Sequence, residues 1–193
     1  MIRLALLRHG RTAWNLEGRL QGRADIPVLE DALATLRQRR LPLPYAAWPW
    51  LASPLLRAGQ TAAALGIQAS PEPALIETDW GGYEGRLLRE LETDPAFRAN
   101  EALGLDFQPP GGESPRMVQQ RLAPLLARLA ASGQDCGAVC HKGVMRAVLA
   151  WAYDWPMLGK PPAKLDWSAL QVFHIEADGR PRPGQINIAL EAA

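Results

Sequence analysis

The sequence predicts an α/β protein, a three-layer α/β/α sandwich around a mostly parallel central sheet with a small helical and loop cap. Two observations carry this: short apolar runs alternate with helical segments along the 193 residues, and two of those runs stop abruptly at charged, glycine-containing turns, RHG at 8–10 and HKG at 141–143. The first run, residues 2–7, is apolar without alternation, the pattern of a strand buried on both faces. A helix is predicted over 28–40, where apolar residues recur at helical spacing and basic side chains suit the C-terminal dipole. Residues 50–52 predict a strand and Ser53-Pro54 a turn. The alanine-rich stretch from 55 to 65 predicts a helix closed by Gly66, with Arg57 in its first turn.

Further along, ALIETDWGGYEG predicts a short apolar run ending in a glycine-rich loop, and RLLRELETDPAF predicts helix up to its proline. Ser114 and Pro115 read as N-cap and first position of a helix over 111–131, in which Pro124 predicts a kink or a break. Residues 137–140 predict a second buried strand and Val144 to Tyr153 a helix. SALQVFHIE alternates as a strand, Asp178-Gly179 marks a turn, and a last strand is expected around Ile186 to Leu190. Length and loop content fit one domain over 1–193, with the cap at approximately 80–112.

Composition narrows the function classes. The chain carries 21 basic and 20 acidic residues, a formal charge of +1, and no basic tract of the kind that binds nucleic acid. No stretch reaches the ~18 uninterrupted apolar residues of a membrane span, so a cytoplasmic, soluble protein is expected. Cys136 and Cys140 do not make a disulfide framework, and with three histidines in the chain their spacing is not a zinc pattern.

In open α/β sheets, ligands bind beyond the carboxyl ends of strands, where helix N-termini add positive dipole. His9 and His141 both follow such ends, and Arg8 and Arg57 supply planar forks that match phosphate oxygens. Together the four predict an anion pocket.

At this point the sequence resembles the histidine phosphatases, or phosphoglycerate mutase-like superfamily, through most of its length. LLRHGRTAWN resembles the Arg-His-Gly signature, GRLQGRADIP the segment after it, and SPLLRAGQTA the Ser-Pro-Leu block with its arginine. IETDWGGYEG is similar to the acidic block, PGGES to the middle loop, and VCHKGVMRAVL to the block around the second histidine. The resemblance implies a phosphoryl-transfer site in which His9 is the nucleophile and becomes phosphohistidine. Arg8, Arg57 and His141 would neutralise the transferred oxygens, so that neither metal nor cofactor is expected, and Glu77 would protonate the leaving alkoxide. Asn15 would donate to the phosphate, and Gln21 and Gly22 would line the entrance. Glu113 is the rival acid, although its place before the Ser114 cap favours a loop role. Branches with aspartate directly after the second histidine are excluded, because Lys142 stands there.

The compact 80–112 segment favours water over a second hydroxyl as acceptor, hence phosphatase over phosphoglycerate mutase-type transfer. A non-catalytic phosphate-ligand binding protein is the third reading. The expected partner is a small phosphorylated metabolite, with Arg19, Arg23, Tyr83 and Arg86 as candidate selecting side chains. A homodimer is compatible with the sequence.

Overall fold

In a computed structural model that describes Met1–Ala193, the chain builds β1 (Ile2–Arg8), α1 (Ala13–Glu17), α2 (Glu30–Arg37), β2 (Arg39–Arg40), β3 (Trp50–Ala52), α3 (Leu56–Ala64) and β4 (Ala69–Pro71). Then follow α4 (Leu88–Leu91), α5 (Pro95–Glu101), α6 (Pro115–Ser132), β5 (Cys136–Cys140), α7 (Lys142–Ala152), β6 (Gln171–Ile175), β7 (Pro181–Pro183) and β8 (Glu191–Ala192). Six strands form one sheet in the order β4-β3-β5-β1-β6-β7, and β2 pairs with β8 apart from it. The ladders β4-β3, β3-β5 and β5-β1 are parallel, while β1-β6 and β6-β7 are antiparallel.

The register sets up the site. Arg8 lies opposite Cys140, so β1 and β5 end side by side. The His9 amide donates to the Cys140 carbonyl at 3.0 Å and the Ser53 amide to the Val139 carbonyl at 2.9 Å, which carries the pairing one residue beyond the strands. Three loops therefore leave the sheet at one edge. Both faces of β1 are covered: Leu4 and Leu6 pack with α6 and α7, and Ala5 and Leu7 with α3. That explains its unbroken apolar run. A third, smaller core of Tyr83, Leu91, Phe97 and Phe107 holds the short helices of the 81–107 region together.

Several local expectations are corrected. The 28–40 helix shrinks to α2, because the Val28 amide bonds to the Gln60 side chain at 2.9 Å and Arg39–Arg40 pair with β8. The apolar run at 74–77 begins in a 3-10 turn, Pro73–Leu75, and the strand of this region lies earlier, at β4. Pro95 does not end a helix but opens α5, with the Asp94 side chain capping the Ala96 amide at 2.8 Å. Pro124 does not break α6. Pro124 and Gln120, whose carbonyl loses its partner, both lie on the exposed side, where water can take that carbonyl, while Val118, Leu122, Leu125 and Leu126 keep the opposite side buried. The expected strand at 186–190 is reduced to one bridge, Leu170 with Ile188, since Asn187 adopts φ 59° and interrupts extended backbone.

No helix is long and apolar enough to cross a membrane. Cys136 and Cys140 are free and buried; burial pushes the Cys136 thiol up to about 11 and Cys140 higher than its ordinary value.

Candidate functional site

The loops after β1, β3 and β5 bring His9, Ser53 and His141 together. The two imidazoles sit 5.1 Å apart between centroids, tilted by 54°. His9 is 7% exposed and its Nδ1 lies 2.7 Å from the Gly10 carbonyl, which accepts only and so requires the ring proton on Nδ1. Nε2 is left with its lone pair. Burial, then Arg57 and Arg8, lower the His9 pKa to about 3, so the ring is neutral across the physiological range. The loop carrying it is braced where the Gly10 amide donates to Thr61 Oγ1 at 2.8 Å, and that hydroxyl donates back to the Arg57 carbonyl at 2.7 Å.

Arg57, fully buried in the first turn of α3, is held on three sides. Nη1 donates to the Ala24 carbonyl at 2.8 Å, Nη2 to the Gly22 carbonyl at 2.7 Å, and Nε to His141 Nδ1 at 3.2 Å. Burial lowers its pKa while Glu77, Asp25 and Glu84 oppose the shift; a guanidinium keeps its proton regardless. Because His141 Nδ1 accepts from Arg57, the proton of the neutral ring sits on Nε2 and donates to Ser53 Oγ at 2.7 Å. Burial and the neighbouring His9, Arg57, Arg121 and Arg8 hold His141 well below its ordinary value. Both nitrogens of His141 therefore have protein partners, which the sequence did not reveal.

Arg8 ends β1 half-buried, with Nε buried and without a partner; burial lowers its pKa and Glu77 opposes this. Glu77 is 7% exposed on the extended segment after the Pro73–Leu75 turn. Its Oε1 accepts from the Thr78 amide at 2.8 Å and its Oε2 from the Gly143 amide at 3.2 Å. Glycine is required at 143: a Cβ there would lie 2.3 Å from both Glu77 Oε1 and Thr78 Oγ1. Glu113, the rival carboxyl, is tied to Arg121 at 3.1 Å, to Arg23 at 3.3 Å and to the Asp79 amide at 3.1 Å, a loop-fastening set of contacts.

Asn15 caps α1, its Oδ1 accepting from the Thr12 amide at 3.0 Å, so Nδ2 is the group left to reach a ligand. Gln21 is buried with its Nε2 on Thr12 Oγ1 and its Oε1 unpartnered. Gly22 contributes its carbonyl to Arg57 and takes φ 54°, with Glu84 packed where a Cβ would be. Of the candidate selecting side chains, Arg19 is held by Glu17 and the Gly85 carbonyl and Arg23 by Asp79 and Glu113. Tyr83 belongs to the small 81–107 core, with Arg86 over its ring.

Sequence reasoning gave no role to Ser53, Thr61, Thr78 or Gly143. Ser53 and Gly143 lie inside SPLLRAGQTA and VCHKGVMRAVL and were findable there; Thr61 and Thr78 act only through distant contacts. No three His, Cys, Asp or Glu side chains gather so as to hold a metal ion.

Fold and site define a class: an α/β enzyme whose paired histidines and buried arginine forks meet at the carboxyl edge of a parallel sheet, an arrangement that binds and activates an oxyanion. The chain belongs to the histidine phosphatase superfamily, branch 1, whose family model matches residues 4–186. A glucosyl-3-phosphoglycerate phosphatase of Mycolicibacterium vanbaalenii is 32% identical over 206 aligned positions, covering 93% of this chain and 88% of that one. The solved mycobacterial glucosyl-3-phosphoglycerate phosphatase in complex with VO3 superposes with a TM-score of 0.75 at 27% identity, over 98% of this chain and all of that one. A phosphoglycerate mutase structure from Thermus thermophilus gives 0.71 at 31%, again over 98% and 100%. The chain is a phosphomonoester hydrolase of this superfamily.

Proposed function

We propose that the chain hydrolyses a small phosphomonoester in two steps through His9. The observation that carries this is the wiring of His9: its Nδ1 is committed to Gly10, it is neutral down to about pH 3, and the unprotonated Nε2 is the nitrogen left to attack phosphorus. As the P–O bond breaks, charge on the equatorial oxygens meets Arg8 and Arg57, donors already fixed in a buried site. His141 holds the Arg57 fork and, by turning Nε2–H from Ser53 to a phosphoryl oxygen, adds a donor. Glu77 gives a proton to the leaving alkoxide and then takes one from the water that attacks phosphohistidine. No metal or cofactor has a part in these steps.

The compact 81–107 region supports water as acceptor. The phosphatase relatives support a substrate such as a phosphoglycerate or its sugar conjugate, and vanadate is expected to compete with substrate. We further place the enzyme in the cytoplasm, acting on a phosphorylated metabolite as a monomer or homodimer, without nucleic acid or membrane partners.

The deciding experiment incubates wild type and His9→Ala with p-nitrophenyl phosphate and EDTA. Release of nitrophenol by wild type alone is expected; equal rates would overturn the assignment of His9. Product analysis with 3-phosphoglycerate separates outcomes further, inorganic phosphate for hydrolysis and 2-phosphoglycerate for mutase transfer.

A further inference from the structure

Lys142 follows His141 and precedes Gly143, so it lies between the group proposed to face the phosphoryl oxygens and the backbone N–H that touches Glu77, the proposed acid on the leaving-group side. Its side chain is exposed, unlike the buried histidines on either side of the cleft. The ammonium takes part in no salt bridge or hydrogen bond of the chain. It rests 5.4 Å from the ring centre of Trp167, and Arg8 lies 5.8 Å from the same centre. One indole thus holds two cations at the mouth of the site.

Arg8, Arg57 and Lys142 bring three positive charges; Asp25 and Glu84 face Arg57, and Glu77 faces all three. Arg146, one turn along α7, has Glu101 as its counter-charge and packs over Trp155 instead. Arg57 is committed to Ala24, Gly22 and His141, whereas the Lys142 ammonium has Trp167 as its contact, which leaves its hydrogen-bond donors free to meet an anion.

We infer that Lys142, steadied on Trp167, is a specificity-determining residue that recognises a second anionic group carried by the leaving group of the substrate. This rests on the phosphomonoester hydrolase reading above and extends it to the side chain that selects among esters. A point-charge ammonium on a flexible stem suits a carboxylate or a second phosphate that varies in position. Partial burial of its stem, with the adjacent Arg146 and Arg8, lowers the pKa of Lys142 against the opposing charge of Glu77, a shift that the arrival of an anion would relieve.

The test measures kcat/KM for 3-phosphoglycerate, glycerol 1,3-bisphosphate and glycerol 3-phosphate in wild type, Lys142→Met and Lys142→Arg. Lys142→Met should lower the preference for one or both doubly anionic esters over glycerol 3-phosphate by about tenfold or more, the scale of one charge-assisted hydrogen bond. Lys142→Arg should retain it. Which ester responds tells whether carboxylate or phosphate is read. An equal loss on all three substrates would make Lys142 a general phosphate clamp, and no loss would make it a surface cation; either overturns the inference. If wild type turns over none of the esters and releases no nitrophenol from p-nitrophenyl phosphate, the hydrolase reading fails separately. Calorimetry with 2-phosphoglycolate against methyl phosphate then decides Lys142, since its preference for the first ligand should vanish in Lys142→Met.

Discussion

His9 and His141 occupy equivalent places, each one residue beyond the end of a buried parallel strand, on strands paired in register. Their wiring is opposite. His9 spends one nitrogen on the carbonyl of its own loop and keeps the other free, whereas His141 is spanned between Arg57 and Ser53. The difference comes from the backbone immediately after each ring. Beyond His9 the chain runs on through Gly10 to Thr12 before α1 begins, which leaves a carbonyl beside the ring; beyond His141, α7 starts at once and the imidazole points away from its own backbone towards β3 and α3. Equivalent positions at a sheet edge thus yield one ring with a free lone pair and one ring held between two protein groups.

The sharpest break of that comparison is the paired substitution of each histidine. His9→Ala should lose at least about 10⁴-fold in kcat with any ester, because no other group can accept the phosphoryl, and a phosphoenzyme trapped by rapid quench should disappear. Glu77→Gln should cost about 10²- to 10⁴-fold with an alkyl ester, and much less with p-nitrophenyl phosphate, whose leaving group needs no proton; equal losses would remove Glu77 from the acid role. His141→Ala should cost about 10²- to 10³-fold while still forming phosphoenzyme, the loss of one donor and of the brace on Arg57.

Smaller effects sharpen the contrast. Folded His9 refuses a proton down to about 3, while in the unfolded chain it gains one near its ordinary 6.5. Between those values the unfolded state binds more protons, so stability falls as pH drops through the window, by up to about 1.4 kcal/mol per pH unit for one such group. Urea unfolding of His9→Gln at pH 7, 5.5 and 4.5 should show a shallower fall than wild type. Ser53→Ala should be the mildest change, about fivefold in kcat/KM, since it frees His141 Nε2–H without removing it.

Much of this was legible in the chain. β1 and β5 announced themselves as apolar runs without alternation because both faces are covered, and Ser114-Pro115 marked the start of α6 because cap chemistry is local. The segments that misled, 28–40 and 186–190, are those whose backbone partners come from elsewhere: Gln60 and β8 for the first, Leu170 for the last. Pro95 misled for a local reason, since a proline opens a helix as readily as it ends one. Trp167 gave no sign of standing beside Arg8 and Lys142, because 25 residues separate it from the nearer of them and only the return of the chain along β6 brings it there.

By itself the sequence determined the reactive groups and the strand ends that present them, since residue type, apolar patterning and caps act over a few neighbouring positions. Only the tertiary structure decided which nitrogen of each imidazole carries its proton, that Glu77 rests against Gly143, and that Lys142 stands against Trp167. Protonation and pairing depend on partners within about 3 Å, and those partners arrive from strands and helices far away in the chain.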